Sequence, residues 1–316
     1  MNGQPNLFLI GAMRSGTTTL HLMLDQHPLI SMSARKEPMF YVAEEMRRRR
    51  AALSTASPTL ERELADFVAR GRHRERASYA PLFQADAVRY LGESSHYLYW
   101  PQTAAVIRDD CASARILVAL RNPVDRLFSE YQYYRRTAQV TSTFTEFARH
   151  GCRFDDDGRL ITLGPESRIA KGFYGQLVAP WLDTFGAAQV RFILFEELRR
   201  DPVRTVQAVF TWLGVDPTFT PTAVRAQQGG IPVSRRLVGL MDFGGPLKRW
   251  MRRVLPGAAR ARMRSRLYGA LLRTPPADVD TRAFLREVYR DDITALESST
   301  GLDLRAWRQA ERDTPR

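Results

Sequence analysis

Asn6-Leu-Phe-Leu-Ile10-Gly11-Ala12-Met13-Arg14-Ser15-Gly16-Thr17-Thr18-Thr19-Leu20 reads as a strand, an anion-binding loop and the first turn of a helix. The apolar run 6–10 has the composition of a buried strand, and the two glycines permit a tight turn. The Thr-Thr-Thr-Leu segment can open a helix whose first N–H groups have no partner within the helix. Convergent backbone donors and the positive end of the helix dipole suit a phosphate or a sulfate equally, so the side chains must narrow the ligand. Gly11 and Gly16 keep the G-x-x-x-x-G spacing of a nucleoside-triphosphate loop, but Thr17 stands where that motif has lysine. The cation is Arg14, inside the loop, and this departure counts against an ATPase or GTPase.

A second strand, Arg115-Ile-Leu-Val-Ala-Leu120, runs into Arg121-Asn122-Pro123-Val124-Asp125-Arg126-Leu127-Phe128-Ser129. Pro123 fits the first turn of a helix, where its missing N–H costs nothing. Arg121 then lies at the strand's C-terminal end and Ser129 about two turns into the helix, and a guanidinium fork with a hydroxyl can clamp a phosphate. The two motifs together resemble those of sulfotransferases that use 3′-phosphoadenosine 5′-phosphosulfate (PAPS). In that family a strand precedes G-x-x-[KR]-x-G-T-T, and a second strand precedes R-[ND]-P-x-[DE]-R-x-x-S. The resemblance implies that Arg14, Ser15, Gly16, Thr17 and Thr18 surround the 5′-phosphosulfate, and that Arg121 and Ser129 hold the 3′-phosphate that distinguishes PAPS from ATP.

Ser33-Ala34-Arg35-Lys36-Glu37-Pro38-Met39-Phe40-Tyr41 resembles the glutamate-bearing segment of bacterial and heparan sulfate sulfotransferases. By that resemblance Glu37 is the general base, since an acceptor hydroxyl is a poor nucleophile until a carboxylate or imidazole takes its proton. Lys36 is a further catalytic candidate, to stabilise charge on the sulfonyl oxygens or to orient Glu37. Of the 47 basic residues only Lys36, Lys171 and Lys248 are lysines, so a lysine at 36 stands out from the general arginine usage. Arg14, with a pKa above about 12, is assigned electrostatic stabilisation and not proton donation.

Gly92-Glu93-Ser94-Ser95-His96-Tyr97-Leu98 follows a strand expected around residues 88–91 and resembles the family's G-E-x-[ST]-P-x-Y segment, one residue short and without its proline. It implies acceptor or sulfonyl contacts from Glu93, Ser94 and Ser95. His96 is the rival base, because sulfotransferases acting on phenols and steroids use histidine. Lys171-Gly172-Phe173-Tyr174-Gly175-Gln176-Leu177 resembles the G-x-Y helix of the family; Phe173 and Tyr174 either flank the adenine or the acceptor, or pack in the core at helical spacing with Leu177 and Trp181. A strand over 189–195 and a helix capped near Asp201-Pro202 and running to Trp212 follow.

Strands alternating with helices predict an α/β chain: a P-loop nucleotide-hydrolase-like three-layer fold with a mainly parallel central sheet flanked by helices. Ligands of such sheets lie beyond the C-terminal strand ends, where Arg14 and Arg121 both fall. No Gly/Ser tract, repeat or low-complexity run interrupts the 316 residues, which predicts a single domain over 1–316 with a basic flap or lid at about 228–275 and a helical segment at about 277–310.

Cys111 and Cys152 have neither metal-ligand spacing nor a disulfide framework, and no metal is implied. No apolar run approaches the roughly 20 residues of a membrane span, and the first residues lack a signal pattern; a bacterial cytoplasmic enzyme is expected. Part of the +13 net charge is local: residues 235–273 carry eleven basic residues against the single acid Asp242. That segment reads as a cofactor flap, a lid over an acidic acceptor, or an amphipathic face for peripheral membrane contact. No nucleic-acid motif accompanies the charge. The expected function is transfer of a sulfonyl group from PAPS, with adenosine 3′,5′-bisphosphate (PAP) as product, to a hydroxyl or amine of a carbohydrate or glycosylated natural product. The alternatives are a lipid or polyketide hydroxyl as acceptor, an ATP-dependent small-molecule kinase, and a non-catalytic PAP- or nucleic-acid-binding protein. Oligomeric state has no signal in the sequence.

Overall fold

The run 6–10 forms β1 (Leu7–Leu9), and the three threonines open α1 (Thr17–Leu24). A computed structural model describes residues 4–52, 75–83, 87–137, 139–157, 159–164, 167–224, 231–232, 272–273 and 278–309. The chain continues through β2 (Ile30–Met32), α2 (Phe40–Ala52), α3 (Arg76–Tyr79), β3 (Tyr90–Ser94), α4 (Thr103–Asp110), β4 (Arg115–Leu120), α5 (Pro123–Arg136), α6 (Phe144–Arg149), β5 (Cys152–Phe154) and β6 (Leu160–Leu163). It goes on with α7 (Tyr174–Phe185), β7 (Val190–Leu194), α8 (Phe195–Arg200), α9 (Pro202–Leu213), β8 (Ile231–Pro232), β9 (Leu272–Arg273), α10 (Val279–Thr300) and α11 (Arg305–Arg308). Two compact units result, one of residues 1–126, 170–226 and 286–316, the other of 127–169 and 227–285.

The first unit holds a five-stranded sheet in the order β2-β3-β1-β4-β7, every pair parallel. Side chains alternate across a strand, and both faces are covered, which is why the strands read as continuous apolar runs. Leu7 and Leu9 of β1, with Leu117 and Ala119 of β4, pack with Leu20, Met23 and Leu24 of α1 and Val206, Val209 and Phe210 of α9. Phe8, between the two leucines, points to the opposite face and meets Tyr41 of α2 edge-on at 5.5 Å. These are the three layers expected. The sheet extends from β1 through β3 to β2 on one side and through β4 to β7 on the other, which puts the topological switch point, where ligands of such sheets bind, at the C-terminal ends of β1 and its neighbours.

β4 has the expected limits, Pro123 is the first residue of α5, and Asp201 caps α9 by accepting from Arg204 N at 3.0 Å. The strand expected at 88–91 is displaced. β3 runs from Tyr90 to Ser94 because it is central, pairing Leu7↔Gly92, Phe8↔Glu93 and Leu9↔Ser94 with β1. Gly92 suits that interior position, since a Cβ there would lie 2.1 Å from Met32 Sδ.

The second unit has its own aromatic cluster, in which Phe144 meets Phe128 at 5.0 Å and Tyr131 at 5.5 Å. Thr143 and Glu146 form a capping box on α6, β5 and β6 pair as an antiparallel hairpin, and Arg168 lies over the rings of Tyr134 and Phe147. Apart from β8 and β9, which pair with each other, the segment of about 228–275 expected as a basic flap or lid lies outside the described residues. Among the described residues no helix is long and apolar enough to cross a membrane.

Candidate active site

The loop after β1 is shaped by backbone. Ile10 N donates to Leu117 O at 3.0 Å and Ala119 N to Gly11 O at 2.7 Å, which stitches the loop to the end of β4. Gly11, Arg14 and Gly16 all take positive φ (134°, 68° and 83°). Gly16 is the N-cap of α1, and a Cβ there would sit 2.7 Å from Leu198 Cδ2, so both conformation and space require glycine. The Ser15 hydroxyl is fully buried and has no hydrogen-bond partner among the described residues. A buried orphan hydroxyl costs about 1–3 kcal/mol, and an anion oxygen in the loop would remove that cost.

Lys36 brings the cation that position 17 lacks. Its Nζ donates to Thr17 Oγ1 at 3.1 Å and Thr18 Oγ1 at 3.0 Å, the first two residues of α1. Burial lowers the ammonium from the usual lysine value to about 8, partly opposed by the Glu37 carboxylate. Beneath it His21 places Nδ1 3.1 Å from Ser94 Oγ, and burial followed by the charge of Lys36 lowers this imidazole to about 4, so it stays neutral near neutral pH.

The next residue turns the other way. Glu37 Oε1 lies 3.0 Å from His96 Nε2, so the two rival bases are brought together as one pair. Glu37 and Met39 both adopt left-handed backbone (φ 60° and 55°), and the Glu37 amide is held by Ser94 O at 2.8 Å. Arg121, at the end of β4, donates from Nη1 to Arg14 O at 3.3 Å and lies 4.5 Å over the Phe195 ring. Glu196 sits beside it, accepting from Asn122 N at 3.0 Å, with its carboxyl raised by burial.

A family model described as "Sulfotransferase family" matches residues 5–221, which contain the loop, Lys36, Glu37, His96 and Arg121. The chain belongs to the sulfotransferase family. This sulfotransferase is 24% identical over 97% of its length to human bifunctional heparan sulfate N-deacetylase/N-sulfotransferase 3, of which it spans 31%. It is 25% identical over 67% of its length to human carbohydrate sulfotransferase 15, spanning 44% of that protein. Among solved structures, a sulfotransferase from Alicyclobacillus acidocaldarius superposes with a TM-score of 0.64 at 27% identity, covering 97% of this chain and 99% of that one.

Four residues expected at the acceptor or the sulfonyl group are buried in the ligand-free chain. Glu93, Ser94, Ser95 and Tyr174 are at most 2% exposed. β3 extends to Ser94, and its central place in the sheet buries Glu93 and Ser94 with it. Tyr174 packs 6.1 Å from Trp307 at the start of α7, whose first-turn amides are capped from α10 by Asp292. Its ring is buried, and its hydroxyl has no hydrogen-bond partner among the described residues. Ser129 is buried on α5 in the second unit. His21 and Tyr79 were not legible in the sequence as site residues. His21 has only its α1 spacing from Thr17 and Thr18 as a signal, and Tyr79 has none. Among the described residues no group of His, Cys, Asp and Glu could hold a metal ion.

Proposed function

We propose that this sulfotransferase moves the sulfonyl group of PAPS to a hydroxyl or amine of a carbohydrate or glycosylated natural product, with Glu37 as general base. The observation that carries this reading is the division of one dipeptide: Lys36 bonds the threonines that open α1, while Glu37 faces His96. A cation at the anion loop with a carboxylate one residue away meets the two needs of transfer, positioning of the donor and removal of the acceptor's proton. The orphan hydroxyl of Ser15, the crowded glycine at 16 and the desolvated ammonium of Lys36 fit a polyanion at residues 14–18. When bound there, PAPS supplies an electrophilic sulfur joined to a phosphate leaving group.

Arg14, Lys36 and the first amides of α1 hold negative charge in place and stabilise its growth on the leaving side. Arg121, with Ser129, is assigned the 3′-phosphate. Glu37 takes the acceptor's proton, and His96 at Oε1 keeps the carboxylate oriented. The carbohydrate class is supported by the relatives, whose names place sulfate on heparan sulfate and other carbohydrates. Calorimetric titration with PAP, with ADP and ATP as controls, tests the donor without knowledge of the acceptor. PAP binding at least about tenfold tighter than either control, or about 1.4 kcal/mol, is expected. A preference for ATP, or no binding of any of the three, would overturn the donor assignment.

A further inference from the structure

Three alternate amides of the segment bearing Glu37 are held from the end of β3. Glu37 N donates to Ser94 O at 2.8 Å, Met39 N to Ser95 Oγ at 3.1 Å and Tyr41 N to Tyr97 OH at 3.2 Å. The two hydroxyls send their own hydrogens elsewhere. Ser95 Oγ and Tyr97 OH each donate to Glu93 Oε1 at 2.6 Å, and Tyr79 OH donates to Glu93 Oε2. We infer that Glu93 is a positioning residue for the transfer: by accepting the hydroxyl hydrogens of Ser95 and Tyr97, it turns their lone pairs toward the amides of Met39 and Tyr41 and so sets the backbone that aims Glu37. This rests on the reading of Glu37 as the base.

A hydroxyl is one donor with two acceptor sites and rotates to suit its neighbours. Beside an apolar residue, Ser95 and Tyr97 would bury their own hydrogens without an acceptor, and rotating to relieve that would draw their lone pairs off the amides. Bulk solvent does not reach these hydroxyls, because Glu93, Ser95, Tyr97 and Tyr79 are all at most 2% exposed. Tyr79 is itself braced by Phe40, whose ring stacks on it at 4.3 Å. The tether also accounts for two left-handed residues without glycine, Glu37 and Met39, since such backbone persists where its surroundings over-determine it.

The arrangement tolerates either protonation state of Glu93. Burial raises this carboxyl to about 7 against the pull of its three hydroxyl donors, Ser95, Tyr79 and Tyr97, and its charge acts on the phenol of Tyr41 as well. When protonated, Oε2 can donate to Tyr79, whose phenol turns to accept, while Oε1 continues to accept from Ser95 and Tyr97. Glutamine reproduces that state, with Nε2 toward Tyr79; leucine of similar size cannot.

The test compares Glu93→Gln, Glu93→Leu and the double variant Ser95→Ala/Tyr97→Phe, which deletes only two oxygens and serves if Glu93→Leu does not fold. Amide hydrogen exchange is read over residues 36–41, PAP affinity by titration, and transfer from PAPS with a de-N-sulfated heparan oligosaccharide as acceptor probe. Glu93→Gln should match the parent in exchange and stay within about threefold in kcat. Glu93→Leu and the double variant should exchange over 36–41 at least about tenfold faster and lose at least about tenfold in kcat, with PAP affinity and the KM for PAPS changed less than about threefold. Unchanged exchange in the double variant would overturn the inference, as would faster exchange with an undiminished kcat. Exchange needs no acceptor, so it decides the tether even if the parent protein proves inactive on this probe and the base assignment fails.

Discussion

Loop 10–16 and segment 33–41 meet at the first turn of α1, yet they are built by opposite means. The loop's shape comes largely from its own residues: glycines at 11 and 16 adopt two of its three positive φ values, and its sheet contacts are to the adjacent β4. The segment has no glycine. Glu37 and Met39 take left-handed backbone at a cost on the order of 1–3 kcal/mol each, and groups from the end of β3 hold them there. Both halves take partners distant in sequence, but the anion-binding half has glycine at two of its positive-φ positions, whereas the half that carries the base has none and relies on those partners alone. Chemistry and binding should separate along the same line when single side chains are changed.

The largest effect is expected in the segment. Glu37→Gln removes a proton acceptor without changing shape, and kcat should fall by about 10²- to 10⁴-fold while PAP affinity stays within about threefold. Transfer kinetics beside a PAP titration check this, and near-normal turnover would move proton acceptance to His96, its partner at 3.0 Å. Next comes the loop's neighbour Arg121. Its replacement by alanine should weaken PAP by about 10- to 100-fold, the size of a charge-assisted contact, and ADP by less than about threefold. Equal weakening of both nucleotides would mean that Arg121 serves only to brace the loop through Arg14 O and Phe195.

The difference in construction explains what could be read in advance. β1, α1, β4 and the Pro123 start of α5 were legible because strand composition, glycine spacing and a first-turn proline act within a few residues. Lys36 and Glu37 could be nominated from their segment, but not the direction each takes. That direction depends on Thr17, Thr18 and His96, which no local pattern joins to them. The burial of Glu93, Ser94 and Ser95 escaped the sequence for the same reason. Gly92 resembles a strand end, and only the register with β1 and the sulfur of Met32 against it reveal a central strand that carries a carboxylate inward. Tyr79 comes from a separate short helix and was invisible for that reason.

Lys36 belongs to both halves, since it stands in the segment and bonds the start of the loop's helix, and its titration should expose the link. Burial brings the ammonium down to about 8, so above that pH the site loses a positive charge and PAP affinity should fall, by about three- to tenfold between roughly pH 7 and 9.5. Phosphate itself titrates near 6, below this window. The stability of the ligand-free protein should move in the opposite direction. The unfolded chain holds this proton up to about 10.4, so between the two values it binds more protons than the folded state, and stability rises with pH across about 8 to 10. Lys36→Met should flatten both trends, and paired pH titrations of PAP affinity and of thermal unfolding read them. A variant that kept the parent's affinity slope would show that the titrating charge at the loop is not Lys36, and the link between loop and segment would then rest on Thr17 and Thr18 alone.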